Sequence, residues 1–511
     1  MRYLKVIILL VLLVVSGTEA QISATLQIAR TNGNQVALSW SRSVTAFNYL
    51  QSATDLNGSV QWSNSSAFWG SAAGSSNFPS VDSQRFFRMV QFIPVFTLAI
   101  FYNLDLEMNP GSAFYVNGSV HGNKNIYVTG AGASTPLAFA DYVEAVQQVN
   151  QFPSPLDPKN ISRAGNVTFS IANNNPTSYA APLYLGISVT NNPAAILDVP
   201  PAGIDPISST GQAYLYNQAD LVITNSSTNG LAVYYQNFNG VPAQLLVPMD
   251  VTNINVITHT TNMFYSFVTN VTFYDYRESK PVKAIQLDVA KFNKWLTNPI
   301  GQIYNSLNTS GATSKGHGIN LIHLYNGITN DGSQLPAVRV VNGTQLPFAG
   351  LTIATPFPLY VKGNYNTTTD GVNFSTALGD TTNTRPAALM GDAVTILSAN
   401  WVDTTNSSGN IRVATATTIN AACLEGIVPS DGTYYSGGVE NFLRLLENWG
   451  GGTTLTYNGS IVVLFPSQYA TSPWGGSYFS PPTRRWGFDL NFINPAKLPP
   501  GTPMVRNYAT P

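Results

Sequence analysis

A single cysteine, Cys423, occurs in the 511 residues of this chain. That excludes an internal disulfide framework and any multi-cysteine metal site. Charge is scarce as well: Asp, Glu, Lys and Arg make up 10% of the residues, against about 25% in ordinary globular proteins. The formal net charge is −1, and with no basic stripe the chain offers nucleic acid no electrostatic footprint. Histidine appears only at positions 121, 259, 317 and 323. His317 and His323 lie in a Gly-rich, non-helical stretch and lack the close helical spacing of zinc ligands, so neither a metal nor a cofactor is expected. No Gly-x-Ser-x-Gly elbow accompanies a suitable histidine and acid. Beyond residue 15 no apolar run approaches the roughly 20 residues that span a bilayer.

What is present points to a β-rich exported protein. Hydrophobic residues are 44% and aromatics 11% of the chain, which is too apolar for disorder. Asn, Thr, Ser and Gly replace charge on the surface and suit the many turns of β structure. Residues 1–20 read as a secretory signal. Arg2 and Lys5 precede an apolar run at 6–15, and Thr18-Glu19-Ala20 places small residues where a peptidase cuts. The expectation is export to periplasm, cell surface or medium, with no transmembrane anchor once the signal is removed. Cys423, between Ala422 and Leu424, reads as a small core residue.

Short alternating strands at 36–40, 49–53 and 84–90, separated by Asn- and Gly-rich turns, predict a small β-sandwich over residues 21–92. From residue 93 to 511 a larger β body is expected. Apolar spacing predicts a one-sided helix at 137–149, a second at 282–296 and a C-terminal helix through positions 439, 442, 443, 446 and 449. Gly450 stops that last helix before a strand at 461–465. Strands are also expected at 180–189, 213–224, 231–235 and 244–249. Apolar runs at 351–354, 359–365 and 393–397, punctuated by Gly and Asn corners, favour a β-helix or solenoid-like body with a few inserted amphipathic helices. No fixed repeat period is visible, and a large irregular β-sandwich also fits.

Three groups of residues are candidates for chemistry. Asp275, Arg277 and Glu278, interleaved with Tyr274 and Tyr276, offer two carboxylates beside an arginine, as acid–base work on a glycan requires. A salt-bridged strand end entering a helix is the simpler reading of the same residues. Asp370, Asp380 and Asp392, ten and twelve residues apart, fit the edge of a β-helix lyase, or solvated corners. Trp474, Tyr478, Phe479 and Trp486, with Phe488, offer a stacking platform for glycans, a docking patch for a partner, or a buried end cap.

Two resemblances bear on this text. Leu50 to Leu56, Trp62 and Arg85-Phe86-Phe87-Arg88 resemble a fibronectin-type-III-like module, which implies a spacer or adhesion role. Several blocks of the body resemble exported bacterial proteins associated with type IV pilus assembly. They include Ala99-Ile100-Phe101-Tyr102-Asn103-Leu104-Asp105-Leu106-Glu107, Val116-Asn117-Gly118-Ser119-Val120-His121-Gly122-Asn123, Phe273-Tyr274-Asp275-Tyr276-Arg277-Glu278 and Leu359-Tyr360-Val361-Lys362-Gly363-Asn364-Tyr365. Gly437-Gly438-Val439-Glu440-Asn441-Phe442 completes the set. That likeness implies a non-enzymatic structural or surface protein whose partners are envelope or pilus-like proteins or surface glycans, with no active site to transfer. A carbohydrate-active or carbohydrate-binding β-helix protein (lyase, hydrolase or adhesin) is the alternative.

Overall fold

The computed structural model describes residues 26–508 except 32–34, 41–44, 55–59, 71–72, 80–84, 131–135, 163–164, 170–175, 186–191, 227–229, 238–244, 251–266, 311–313, 329–331, 404–411 and 476. The segment 1–20, expected to be a secretory signal, and His259 lie outside these residues.

Strands dominate, and most pair in parallel. Nine such pairings join ten strands of a twelve-stranded sheet: Leu221–Ser226, Leu321–Gly327, Leu351–Ala354, Ala387–Gly391, Ala422–Ile427, Ile461–Pro466, Ile100–Tyr102, Val120–Gly122, Val143–Ala145 and Thr177–Ser178. Register keeps like beside like. Leu221, Ile322, Ile353, Leu389, Cys423, Ile461, Ile100, Val120 and Val143 form one unbroken apolar row. The opposite face of this sheet is covered too: Thr352 donates to the carbonyl of Pro500 at 2.7 Å, and His323 bonds that of Leu197 at 2.8 Å. Burial on both sides is the usual condition of a parallel sheet.

The order along the sheet is not the order along the chain. Residues 100–178 extend it in one direction from Ile100–Tyr102, whereas residues 221–466 approach the same strand from the other. The joint between Ile461–Pro466 and Ile100–Tyr102 therefore unites distant parts of the sequence.

A second sheet stacks Lys280–Asp288, Leu335–Val341, Leu359–Lys362, Val394–Leu397 and Arg444–Leu445 in parallel, with Val268–Asp275 antiparallel at its edge. A third stacks Thr417–Asn420, Thr454–Asn458 and Thr483–Gly487. Along its flank, Asn420 Nδ2 donates to the carbonyl of Asn366 at 3.0 Å, and Asn458 Nδ2 donates to Asn420 Oδ1 at 2.9 Å. The adjoining turn must be tight: a Cβ at Gly459 would lie 1.9 Å from the carbonyl oxygen of Ala421.

The described residues of 26–94 form antiparallel strands. Leu26–Thr31, Gln35–Trp40 and Gly74–Pro79 make one sheet. Ala46–Ala53, Ser63–Gly70 and Phe86–Pro94 belong to another, which Met504–Tyr508 and Leu183–Leu185 complete. Trp40 stacks on Phe68 across the two sheets at 5.1 Å.

Two predicted helices are absent and one is shortened. Residues 137–149 form three short strands, Leu137–Phe139, Val143–Ala145 and Val149–Asn150, which pair with different sheets. Corners every few residues imitate helical periodicity there. Residues 439–449 contain a short 3₁₀ turn, Val439–Asn441, and the strand Arg444–Leu445. All six apolar residues of that stretch are nevertheless buried. In 282–296 only Val289–Leu296 is helical; Asp288 caps it by accepting the Lys291 N–H at 3.0 Å. A further helix is Pro299–Ser310. Among the described residues no helix is long and apolar enough to cross a membrane.

Candidate functional site

Asp275, Arg277 and Glu278 stand at the hairpin turn between Val268–Asp275 and Lys280–Asp288, where antiparallel pairing folds the chain back. All three are buried. Asp275 Oδ1 accepts the backbone N–H groups of Arg277 and Glu278 at 2.8 and 2.9 Å, and its Oδ2 accepts the Tyr360 hydroxyl at 2.6 Å. One carboxylate thus sets the turn's geometry.

The other two reach across the sheets. Glu278 forms an ion pair with Arg444 at 2.6 Å and accepts the N–H of Ser472. Arg277 donates to the Ser472 carbonyl at 3.2 Å and to Asn441 Oδ1 at 2.8 Å. Nearby, Asp392 accepts three consecutive backbone N–H groups, from Gln468, Tyr469 and Ala470. Glu425 accepts the N–H of Val394.

Electrostatics follow from this burial. Desolvation raises the pKa of Asp275, Asp392 and Glu425, and it lowers Arg277 to about 10, with Arg444 repelling it further. Burial also pulls Arg444 down, but Glu278 and Asp392 outweigh it and hold the guanidinium charged.

Two groups that the sequence presents separately meet here. Tyr478 lies under the Arg277 guanidinium at 5.8 Å, and the segment carrying Trp474 supplies Ser472. Trp474 packs edge-on to Tyr435 at 5.5 Å with Lys159 Nζ 4.2 Å from its ring. Trp474, Tyr478 and Phe479 are partly exposed. Trp486 sits elsewhere, against Tyr457 and Phe114, and is buried with Phe488.

The three aspartates do not share an edge. Asp370 and Asp380 accept backbone N–H groups inside one loop. Asp392 is buried rather than solvated, a correction to the corner reading, because its carboxylate satisfies the chain leaving Ile461–Pro466.

Sequence reasoning missed Arg444 and Glu425. Each is a lone charge inside an apolar run, Phe442-Leu443-Arg444-Leu445-Leu446 and Cys423-Leu424-Glu425-Gly426-Ile427. In a chain so poor in charge, that pattern is the signal of a buried partner.

A cavity of about 340 Å³ opens elsewhere, lined by Gln218, His317, Asn320, Leu498 and Pro500 among others. His323 is buried, and desolvation lowers its pKa to about 4. Among the described residues no group of three or more His, Cys, Asp or Glu is placed to hold a metal ion.

Compared with family models, curated proteins and solved structures, the chain matches none.

Proposed function

We propose that this chain is an exported, non-enzymatic structural or surface protein. Its parallel sheets are the faces of a β-solenoid, and residues 21–92 are a fibronectin-type-III-like spacer. Its partners are other envelope or pilus-like proteins. One observation carries this reading: the three residues best suited to acid–base chemistry are buried and committed to neighbouring backbone and side chains. The in-register apolar row and the asparagine ladder support the solenoid.

The partly exposed run at Trp474, Tyr478 and Phe479, with Lys159 beside it, favours glycan binding as the second reading, since aromatic faces stack on sugar rings.

The test is a paired measurement on Glu278→Ala. An architectural role predicts a loss of about 3–5 kcal/mol in denaturant unfolding, because Arg444 is left buried and unpaired. Glycan turnover by the parent chain that disappears in a folded Asp275→Ala variant would refute the non-enzymatic reading. Cell fractionation and cross-linking pull-down of the native protein test the envelope partnership. Loss of binding on a glycan array in Trp474→Ala would select the second reading.

A further inference from the structure

Where Leu221–Ser226 begins, a lysine, an asparagine and an aspartate meet out of water. The Lys315 side chain is 7% exposed, and its Nζ donates to the carbonyls of Gln218, at 2.8 Å, and Ala219. It lies 3.6 Å from Asp220 Oδ1. That same oxygen accepts Nδ2–H of Asn308 at 3.1 Å. Asp220 Oδ2 is held by the backbone N–H groups of Asn320 and Leu321 at 2.8 and 3.0 Å. The second Nδ2 proton of Asn308 goes to the carbonyl of His317 at 2.8 Å. Tyr235 donates its hydroxyl to Asn308 Oδ1 at 3.3 Å. Asp220, Asn308 and Tyr235 are fully buried.

Each part suits one step of an amide exchange. An amine is a nucleophile only without its proton, and burial lowers the pKa of Lys315. A side-chain amide is a poor electrophile unless its carbonyl is polarised, and Tyr235 is placed to do that; burial and Asp220 push its pKa up to about 12, so it stays a donor. Ammonia leaves only if its nitrogen gains a proton. Asp220 Oδ1 accepts from Asn308 Nδ2, the nitrogen that needs a proton, and forms an ion pair at 3.6 Å with Lys315 Nζ, the one that gives it up.

We propose that Lys315 and Asn308 become joined by an intramolecular isopeptide bond, with Asp220 as the proton carrier. The neutral Nζ attacks Cγ of Asn308, and the new C–N bond gives a tetrahedral centre whose oxygen faces the Tyr235 hydroxyl. Asp220 takes a proton from Nζ and passes it to Nδ2. The Cγ–Nδ2 bond breaks and one ammonia departs, leaving a secondary amide. No oxidant, metal or cofactor takes part. The cavity lined by His317 and Asn320 adjoins the site and gives ammonia a way out. In a chain whose single cysteine excludes disulfides, the bond ties helix Pro299–Ser310 to the segment leading into Leu321–Gly327.

Mass spectrometry of the full, denatured chain tests this. The expected mass is about 17 Da below that of the polypeptide, one ammonia. Trypsin should fail to cut after Lys315, so residues 295–339 appear as one peptide carrying the deficit. Lys315→Arg and the near-isosteric Asp220→Asn should each restore the polypeptide mass. The Lys315→Arg readout needs no native fold in the variant, which keeps the test decisive if Asp220→Asn fails to fold. A parent chain at full mass with normal cleavage after Lys315 overturns the proposal, leaving a buried ion pair. A deficit that persists in Lys315→Arg assigns it to cyclisation of Asn308 on its own backbone, and a deficit of about 18 Da joining Lys315 to Asp220 displaces Asn308 as acceptor. Either result also overturns it.

Discussion

Glu107 is buried with only serine hydroxyls to assist it: desolvation raises its pKa to about 7, Ser430 and Ser436 oppose the shift, and Asp157 and Asp105 add to it. An unfolded glutamate titrates near 4.3, so the folded chain binds more protons between those values. The group's stabilising contribution is therefore full below about pH 4.3 and is lost as pH rises through about 7. Asp275, Asp392 and Glu425 are shifted in the same sense. Urea unfolding should show stability falling between pH 5 and pH 8, and Glu107→Gln should flatten part of that slope. At about 1.4 kcal/mol per pKa unit, Glu107 accounts for a few kcal/mol at most. Residue-level reading from sequence succeeds where the neighbours are local. Cys423 between alanine and leucine is buried, and burial holds its thiol protonated. It fails for Arg444 and Glu425, whose partners come from distant strands.

At the scale of elements, alternation is legible because a strand's two faces differ within a few residues. The strands Gly230–Gln236, Leu351–Ala354, Leu359–Lys362, Val394–Leu397 and Ile461–Pro466 fall where apolar text predicts them. The stretches 137–149 and 439–449 misled for one physical reason: short strands joined by sharp corners return an apolar residue to the interior every three or four positions, as a helix does. Their backbone bonds run to neighbouring strands, not along the segment. Corner residues carry the stacking. Asn420 Nδ2 donates to the carbonyls of Asn366 and Ser375, and its Oδ1 accepts from Asn458. Asn420→Ala should cost about 1–3 kcal/mol, the penalty for buried groups left without partners, read as a lower denaturant midpoint.

For the whole molecule, the strand Met504–Tyr508 lies between Phe86–Pro94 and Leu183–Leu185, so the end of the chain completes a sheet begun near residue 46. Truncation after residue 503 should expose that sheet and accelerate tryptic cleavage at Arg85 and Arg88, while the stacked strands from 321 to 466 stay resistant. Limited proteolysis with timed sampling checks this. Composition and alternation were enough to establish a mainly β chain without disulfides, because both are written in neighbouring residues. Tertiary structure alone decided that Ile461 stacks on Ile100, that Arg277 meets Tyr478, and that Lys315, Asp220 and Asn308 converge. Those meetings depend on the register of strands far apart in the chain, and no local pattern of side chains encodes a register.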